Sequence, residues 1–131
     1  MQVAILSADG NHFVRASRDG TLDAVAEEVS TWEMFEYEEY PDGRFSLKTL
    51  ASHPAGSQFV RARGGGGGLL SADRAIASDH EKFTKNAIAN GQVAIQTSDG
   101  RFWRAKNLGG AELDCHATVV SSWEAFTIKS L

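Results

Sequence analysis

The sequence of 131 residues contains a single cysteine, Cys115, which excludes an internal disulfide framework. The core must therefore be held together by packing and hydrogen bonds. No apolar run approaches the roughly 18–20 residues of a membrane-spanning helix, and the start of the chain lacks the basic and apolar regions of a signal peptide. We expect no membrane partner. The chain is compatible with a cytoplasmic protein or with a module of a larger secreted bacterial protein.

Positive charge is also sparse. The chain has 13 Lys and Arg residues against 17 Asp and Glu residues, a net charge of −4, and its basic residues form no cluster. Proteins that bind nucleic acid neutralise phosphates with a basic surface, so we expect no nucleic-acid partner. An apolar content of 42% with 23% charged residues is ordinary for a globular protein. The length predicts one domain, residues 1–131, which we expect to be a monomer.

The residue patterns that mark an enzyme are missing. Cys115 and His116 are neighbours in sequence, which does not make them a nucleophile and its base. The histidines show no metal-ligand spacing. The glycine run Gly64 to Gly68 is not followed by the Lys-Ser/Thr of a phosphate-binding loop, and it predicts a flexible hairpin turn. We therefore expect no catalytic residues, no metal and no cofactor.

What the sequence does contain is a motif that occurs three times. The copies are Trp32-Glu33-Met34-Phe35, His80-Glu81-Lys82-Phe83 and Trp123-Glu124-Ala125-Phe126. Each copy closes a unit that opens with a phenylalanine 19 residues earlier in the first unit and 21 residues earlier in the other two: Phe13, Phe59 and Phe102. A leucine lies ten residues before each Trp or His. Self-similarity with a period in the forties indicates a fold built from repeats.

Each unit predicts four short strands separated by tight turns. In the first unit the strands are Val3 to Leu6, His12 to Ala16, Thr21 to Ala24 and Met34 to Tyr37, with Gly-Asn and Asp-Gly turn signals between them. The units span about 1–40, 41–88 and 89–131. A propeller needs four or more blades, whereas three such units fit a six-stranded barrel capped by three hairpins. The sequence predicts an all-β fold, a β-trefoil of three pseudo-repeats with four strands each.

The order of these motifs resembles the fascin-like (actin-crosslinking-like) β-trefoil repeat over essentially the whole chain. The segment from Gly64 to Arg74 is the closest match. Bacterial modules with this repeat are similar to trefoil carbohydrate-binding modules that recognise β-glucans, often through one site per repeat. The resemblance thus implies a multivalent lectin or carbohydrate-binding module with a glucan-type polysaccharide or oligosaccharide as its partner. The alternative that it implies is a fascin-like module that binds actin or another protein, although such crosslinkers bind through basic surfaces.

The predicted carbohydrate-binding residues are the first two of each repeated motif. They are Trp32, Glu33, His80, Glu81, Trp123 and Glu124. An indole packs its face against the C–H face of a pyranose, and a neighbouring carboxylate accepts hydrogen bonds from ring hydroxyls. A few polar groups on an aromatic platform fix the orientation of a small ligand.

Structural roles are the alternative for several of these residues. Trp32 and Trp123 could be core residues whose N–H finds a backbone carbonyl. The arginines that recur in each repeat could form ion pairs with the recurring glutamates, which we favour, or could donate to sugar hydroxyls. Trp103 replaces the valine of the other repeats and is expected in the core. The opening and closing phenylalanines of each unit are also predicted to lie in the core.

Overall fold

The computed structural model describes residues 1–110 and 112–131, and every regular element among them is a short strand or a single 3₁₀ turn. The strands are β1 (Gln2–Ser7), β2 (Phe13–Ala16), β3 (Leu22–Ala26), β4 (Phe35–Glu39), β5 (Phe45–Thr49), β6 (Phe59–Ala62), β7 (Leu70–Arg74), β8 (Thr84–Ala87), β9 (Val93–Gln96), β10 (Phe102–Ala105), β11 (Leu113–Ala117) and β12 (Phe126–Ser130). The 3₁₀ turns are Thr31–Glu33, Arg63–Gly65, Asp79–Glu81, Lys106–Leu108 and Ser122–Glu124. In this part of the chain no helix is long and apolar enough to cross a membrane.

Six strands close into a barrel, which takes the first and last strand of each repeat. β1 pairs with β4 and β12, β4 pairs with β5, and β9 pairs with β8 and β12, all antiparallel. The ring is completed between β5 and β8, where Phe45 and Phe83 exchange backbone hydrogen bonds of 2.9 and 2.8 Å. Closure removes the unpaired edges through which open sheets aggregate.

The other six strands form the hairpins β2–β3, β6–β7 and β10–β11, which pack together as a cap on the barrel. Neighbouring hairpins are joined by backbone hydrogen bonds of 2.7–2.9 Å. The N–H of Ala72 donates to the carbonyl of Gly20, that of Gly110 to Ala24, that of Gly67 to Cys115 and that of Cys115 to Gly68. A six-stranded barrel with a cap of three hairpins is a β-trefoil. The predicted fold class, with four strands in each of three repeats, is confirmed.

The core is assembled from equivalent positions of the three repeats. The closing phenylalanines and the cap leucines are fully buried: Phe35, Phe83, Phe126, Leu22, Leu70 and Leu113. Trp103 is also fully buried, and its ring meets Phe83 and Phe126 edge-on at centroid distances of 5.2 and 6.2 Å. Such T-shaped contacts stabilise aromatic clusters beyond the area they bury. The predicted core position of Trp103 is confirmed.

The opening phenylalanines lie outside this core, contrary to the prediction. Phe13, Phe59 and Phe102, at the starts of cap strands, are only half-buried. Successive side chains of a strand point to opposite faces, and the next residue of each strand, such as Val14 after Phe13, points inward and is fully buried. The hydrophobic character of these phenylalanines suggested burial, but strand parity turns them outward.

Candidate functional site

The three predicted site glutamates hold the turns that carry the predicted aromatic residues. Each glutamate is at most 4% exposed and ends a 3₁₀ turn. Its Oε1 atom accepts two hydrogen bonds of 2.6–2.8 Å, from the backbone N–H and the hydroxyl of the serine three residues earlier; the pairs are Glu33 with Ser30, Glu81 with Ser78 and Glu124 with Ser121. A Ser-x-x-Glu sequence that satisfies free N–H groups in this way is a capping motif.

This arrangement changes the role expected for the glutamates. The sequence pattern predicted that their carboxylates would accept hydrogen bonds from a sugar. In the structure Oε1 is already bonded twice to the protein, and almost none of the side chain is exposed. The glutamates position the turns, and the residue before each of them projects from a fixed backbone.

The residues before the glutamates, Trp32, His80 and Trp123, lie where two repeats meet. Each is next to the cap hairpin of its own repeat. A residue from the turn between the first two strands of the following repeat lies close by: His53 against Trp32, Ser98 near Gly65, and His12 against Gly109. We call these three places the first, second and third junctions. Since the third repeat is followed by the first around the barrel axis, the third junction takes its turn from residues 7–12.

At the first junction, Trp32 packs against His53 of the β5–β6 turn. Their ring centroids are 5.5 Å apart, and the planes are tilted by 45°. His53 is 3% exposed; its Nε2 donates to the carbonyl of Ala16 at 2.7 Å, and its Nδ1 accepts from the N–H of Ala55 at 3.1 Å. This pattern requires the neutral Nε2–H tautomer. Trp32 is half-buried as a result, and part of its surface is already in contact with the protein.

At the second junction, the imidazole of His80 lies over the glycine run. A Cβ atom added to Gly65 would be only 3.1 Å from Nε2 of His80 and 3.6 Å from Oγ of Ser98 in the following turn. A Cβ atom at Gly66, where φ is +146°, would overlap the carboxylate of Asp99. Glycine is therefore required here so that the turn can approach, which gives a packing reason for a segment that the sequence predicted to be merely flexible.

A concave surface of about 330 Å³ adjoins the second junction. It is lined by Ile76, which is 78% exposed, together with Arg74 and the capping pair Ser78 and Glu81. The volume is at the lower end of the range for small-molecule sites, about 300–1,000 Å³. The second junction thus combines an exposed imidazole with a neighbouring depression.

At the third junction, Trp123 is more accessible than Trp32, with 36% of its surface exposed. The turn Lys106–Leu108 packs beside its 3₁₀ turn, and the imidazole of His12 lies against the next residue, Gly109, where an added Cβ would be 2.6 Å from Nδ1. His12 Nδ1 is 3.0 Å from a carboxylate oxygen of Asp9. Desolvation raises the pKa of Asp9, but hydrogen bonds from the Ser7 hydroxyl, the backbone N–H of Asn11 and His12 outweigh it and hold that pKa below its ordinary value.

The recurring arginines pair with aspartates and not with the glutamates that the sequence indicated. Arg15 donates to both carboxylate oxygens of Asp23 from Nε and Nη2, at 3.2 and 2.9 Å. Arg104 makes the same fork with Asp114, at 3.0 and 2.9 Å. The expected structural ion pair is present in these two repeats, but its acid is different because the glutamates cap the turns.

The arrangement of groups at the junctions fits the binding of a ligand. Each presents an aromatic or imidazole face with hydroxyl, carboxylate or backbone groups nearby, which is what orients a polar ring-shaped ligand. Within residues 1–110 and 112–131, no three His, Cys, Asp or Glu side chains are grouped to hold a metal ion. The thiol of Cys115 is fully buried, and desolvation raises its pKa, which keeps it protonated and unreactive.

Sequence reasoning singled out Trp32, His80 and Trp123 but missed the turns of the following repeat that lie near them. His53, Ser98 and His12 come from the repeat that follows each platform, and they share no common residue type. The signal that could have found them is the topology of the trefoil, which places the first turn of each repeat against the preceding one. Their individual contacts depend on side-chain packing that the repeat pattern does not encode.

Comparisons with known proteins identify the fold. No protein-family model and no curated protein sequence matches the chain. The structure is similar to that of a designed 3-fold symmetric protein, ThreeFoil, with a TM-score of 0.83 and 11% identity over 99% of each chain. It is also similar to part of a mosquitocidal holotoxin, with a TM-score of 0.83 and 12% identity; the match covers 100% of this chain but only 17% of the toxin chain. At these identities the likeness shows the fold alone.

Proposed function

We propose that the chain is a non-catalytic carbohydrate-binding module for β-glucan-type polysaccharide, with up to three sites, one at each junction. Trp32, His80 and Trp123 are the platforms against which a pyranose ring packs. The observation that carries the proposal is the placement of Trp123, a 36% exposed indole on a turn that a buried glutamate holds in place. A rigid aromatic platform binds with little loss of side-chain entropy.

The charge of the chain favours a neutral glycan. A net charge of −4 repels anionic polysaccharides at low ionic strength, whereas a glucan carries no charge. The fold likeness to a segment making up 17% of a holotoxin shows that a trefoil can be one part of a larger chain. The proposal includes such a place for this module, in a secreted bacterial protein.

The three sites are unequal. Trp123 presents an indole that is 36% exposed, and among the described residues no other aromatic ring packs against it. Part of the Trp32 ring already packs against His53. His80 offers an imidazole, whose apolar face is smaller than that of an indole. We expect the third junction to bind most tightly and the second most weakly.

Binding of a polymer should exceed binding of a short oligosaccharide. One pyranose on one indole corresponds to a Kd of about 0.1–10 mM. A polysaccharide that reaches a second junction of the same module meets it at an effective concentration on the order of mM, so avidity of roughly 10²-fold can arise without a new contact. Junctions spread around a threefold axis point in different directions, which also allows separate chains to be crosslinked.

Affinity electrophoresis in gels that contain laminarin or pustulan tests the proposal. Trp123→Ala should abolish most of the retardation, Trp32→Ala part of it and His80→Ala least. Ile88→Ala is the matched control, since Ile88 is exposed to a similar extent, 38%, on a different turn. If a folded Trp32→Ala, Trp123→Ala double variant is retarded as strongly as the unchanged protein, the junction residues are structural and the proposal is wrong.

The alternative is a fascin-like module that binds actin or another protein. It is tested by co-sedimentation with filamentous actin, alongside the glucan gels. Pelleting with actin and no retardation in any glucan gel would favour the alternative. No observed feature favours it, and the acidic charge balance counts against a basic actin-binding surface.

A further inference from the structure

The side of the barrel carries a groove of about 360 Å³ that none of the three junction residues lines. Its walls include Glu36 and Glu38 on β4, Ser46 and Lys48 on β5 and Phe59 at the start of β6. The residues come from the boundary between the first and second repeats. None of the residues that line the groove belongs to the repeated motif.

Strand register brings these five side chains to one surface. Glu36 is opposite Lys48 and Glu38 is opposite Ser46 in the β4–β5 ladder, and Lys48 is also opposite Phe59 in the β5–β6 ladder. Opposite residues of antiparallel strands point to the same face. The alternate residues of the same strands, among them Phe35, Tyr37 and Leu47, are buried in the core. The five groove residues therefore form one outward-facing patch.

The groups of the groove are arranged in fixed positions. Nζ of Lys48 lies 5.3 Å from the centroid of the Phe59 ring, a cation–π distance. The hydroxyl of Tyr40 is 2.9 Å from Oγ of Ser46 and 3.4 Å from Oε1 of Glu38. Tyr40 thus links these two groove residues. Ser46 is 1% exposed, so its position does not depend on solvent.

The mixture of groups selects the class of ligand. An anion would meet the two carboxylates of Glu36 and Glu38, and a cation would meet the ammonium of Lys48. The amine of Met1 also lines the groove, 3.6 Å from Oε2 of Glu36. An apolar ligand would desolvate these charges without replacing their hydrogen bonds, which is costly. A neutral polyol supplies donors for the carboxylates and acceptors for the ammonium. The ring of Phe59 supplies a face for the C–H side of a sugar.

We propose that this groove binds a neutral hexopyranose unit, as a subsite separate from the three junctions. The ring packs on Phe59 in the space that the Lys48 ammonium now covers, and the ammonium turns to donate to a hydroxyl. Glu36 and Glu38 accept from adjacent hydroxyls. A volume of about 360 Å³ suits a mono- or disaccharide.

The subsite extends the first junction. Trp32 precedes Glu36 by four residues, so their backbones are at most about 13 Å apart along an extended strand. This is a span of a few sugar units, which lets one polysaccharide chain contact both places. The proposal depends on the proposed function only for the chemical class of the ligand, because the groove uses none of the junction residues.

The boundary between the second and third repeats offers a matched control on the β8–β9 side of the barrel. There Gln96 is opposite both Thr84 and Phe102, in the places of Lys48, Glu36 and Phe59. The side-chain amide of Asn86 donates to Oε1 of Gln96 at 3.1 Å, so both side chains already have a hydrogen-bond partner within the protein. This face has the phenylalanine but neither carboxylate nor ammonium. Phe102→Leu therefore removes an equivalent half-buried ring without touching the groove.

The test is a titration of the ¹⁵N-labelled chain with laminaribiose and laminarihexaose, to sugar concentrations on the order of 10 mM. We expect the amide signals of Glu36, Glu38 and Lys48 to shift with both sugars. The double variant Glu36→Gln, Glu38→Gln should weaken hexaose binding roughly tenfold, as should Phe59→Leu. Phe102→Leu should leave it unchanged. Circular dichroism confirms that each variant is folded.

The outcomes separate this proposal from the proposed function. If the indole signals of Trp32 and Trp123 shift while the groove amides do not, the groove proposal is overturned and the junction sites stand. If the groove amides shift alone, the groove proposal is supported and the junction sites are wrong. If no signal moves with either sugar, both are overturned. Equal weakening by Phe59→Leu and Phe102→Leu would also contradict a specific subsite.

Discussion

The Nε atom of Arg61 is buried without a hydrogen-bond partner among the described residues, because Ser71 stands where the other two repeats have an aspartate. Arg61 instead donates from Nη2 alone to Asp73, at 3.0 Å. Arg15 and Arg104 each form the full two-bond fork. A buried donor left without an acceptor costs about 1–3 kcal/mol, so the second repeat carries a local defect that the first and third do not.

Replacing Ser71 by aspartate should repair this defect. In Ser71→Asp the carboxylate occupies the position that Asp23 and Asp114 have in their repeats. Those two aspartates are 9% and 6% exposed, so the fold accommodates an aspartate there. We expect the free energy of unfolding in urea to rise by about 0.5–1 kcal/mol, the range for a partly exposed pair. The same substitution in an Arg61→Met background should give a smaller gain, because only Arg63, whose Nε donates to the Ser71 hydroxyl at 3.2 Å, remains beside the new carboxylate. Equal gains in both backgrounds would show that the arginine is not the partner.

Removing a capping glutamate should lower stability and leave the sugar surface of the folded protein intact. Glu124→Ala strands the N–H and hydroxyl of Ser121, at a cost of about 1–2 kcal/mol. Glu124→Gln keeps an acceptor oxygen and should cost less. Urea unfolding measures the first effect, and glucan-gel retardation at a temperature where the variant is folded measures the second. Unchanged stability with lost retardation would instead mean that Glu124 contacts the sugar.

Cys115 should resist thiol reagents for as long as the chain is folded. Its side chain is fully buried, its Sγ lies 3.1 Å from the carbonyl of Gly68, and desolvation raises its pKa. Only the thiolate reacts rapidly, so labelling with a chromogenic disulfide reagent should require unfolding. The rate should rise in parallel with the unfolded fraction in urea. Rapid labelling in the absence of urea would contradict the burial.

Acid should destabilise the chain through its turn aspartates. A hydrogen bond from Ser17 lowers the pKa of Asp19, and the backbone N–H of Arg44 lowers that of Asp42. A carboxyl whose pKa is lowered by folding adds stability above its ordinary pKa of about 3.9 and loses it as pH falls through the lowered value. The melting temperature should therefore fall below about pH 4. Asp19→Asn, which keeps an acceptor for the turn, should show a shallower fall; an equally steep one would exclude Asp19 as a contributor.

The fold could be predicted from sequence because its determinants repeat. The closing phenylalanines and the cap leucines recur in all three repeats, with each leucine ten residues before the Trp or His of the motif. A threefold recurrence of four short strands leaves few architectures. The chemistry of the junctions could not be predicted in the same way. The sequence shows that glutamate recurs beside each platform, but only the conformation of the turn reveals that Ser30, Ser78 and Ser121 engage its carboxylate.

The alternation of inward and outward side chains along a strand explains the other differences between the prediction and the structure. Phe13 and Val14 are both apolar, and composition gives no reason to place one inside and the other outside the barrel. The register of β1 with β2, which pairs Phe13 with Leu6, decides it. The groove on the barrel side depends on the same register, which aligns charged residues from β4 and β5 that are about ten positions apart in sequence. The repeat pattern therefore predicts which segments are strands, but it does not predict which residues of neighbouring strands are opposite each other.

The pairing of β1 with β12 also has a consequence for the order of events during folding. The β1–β12 pairing joins Val3 to Ser130, so it closes the longest loop in the molecule. It is therefore the pairing whose formation costs the most chain entropy. The third junction depends on the same encounter, because its turn belongs to the first repeat and its tryptophan to the third. During synthesis, the first junction can assemble while later residues are still being added. The Trp123 junction can only be completed at the end, which makes the fluorescence of that indole a reporter of whether the ring has closed.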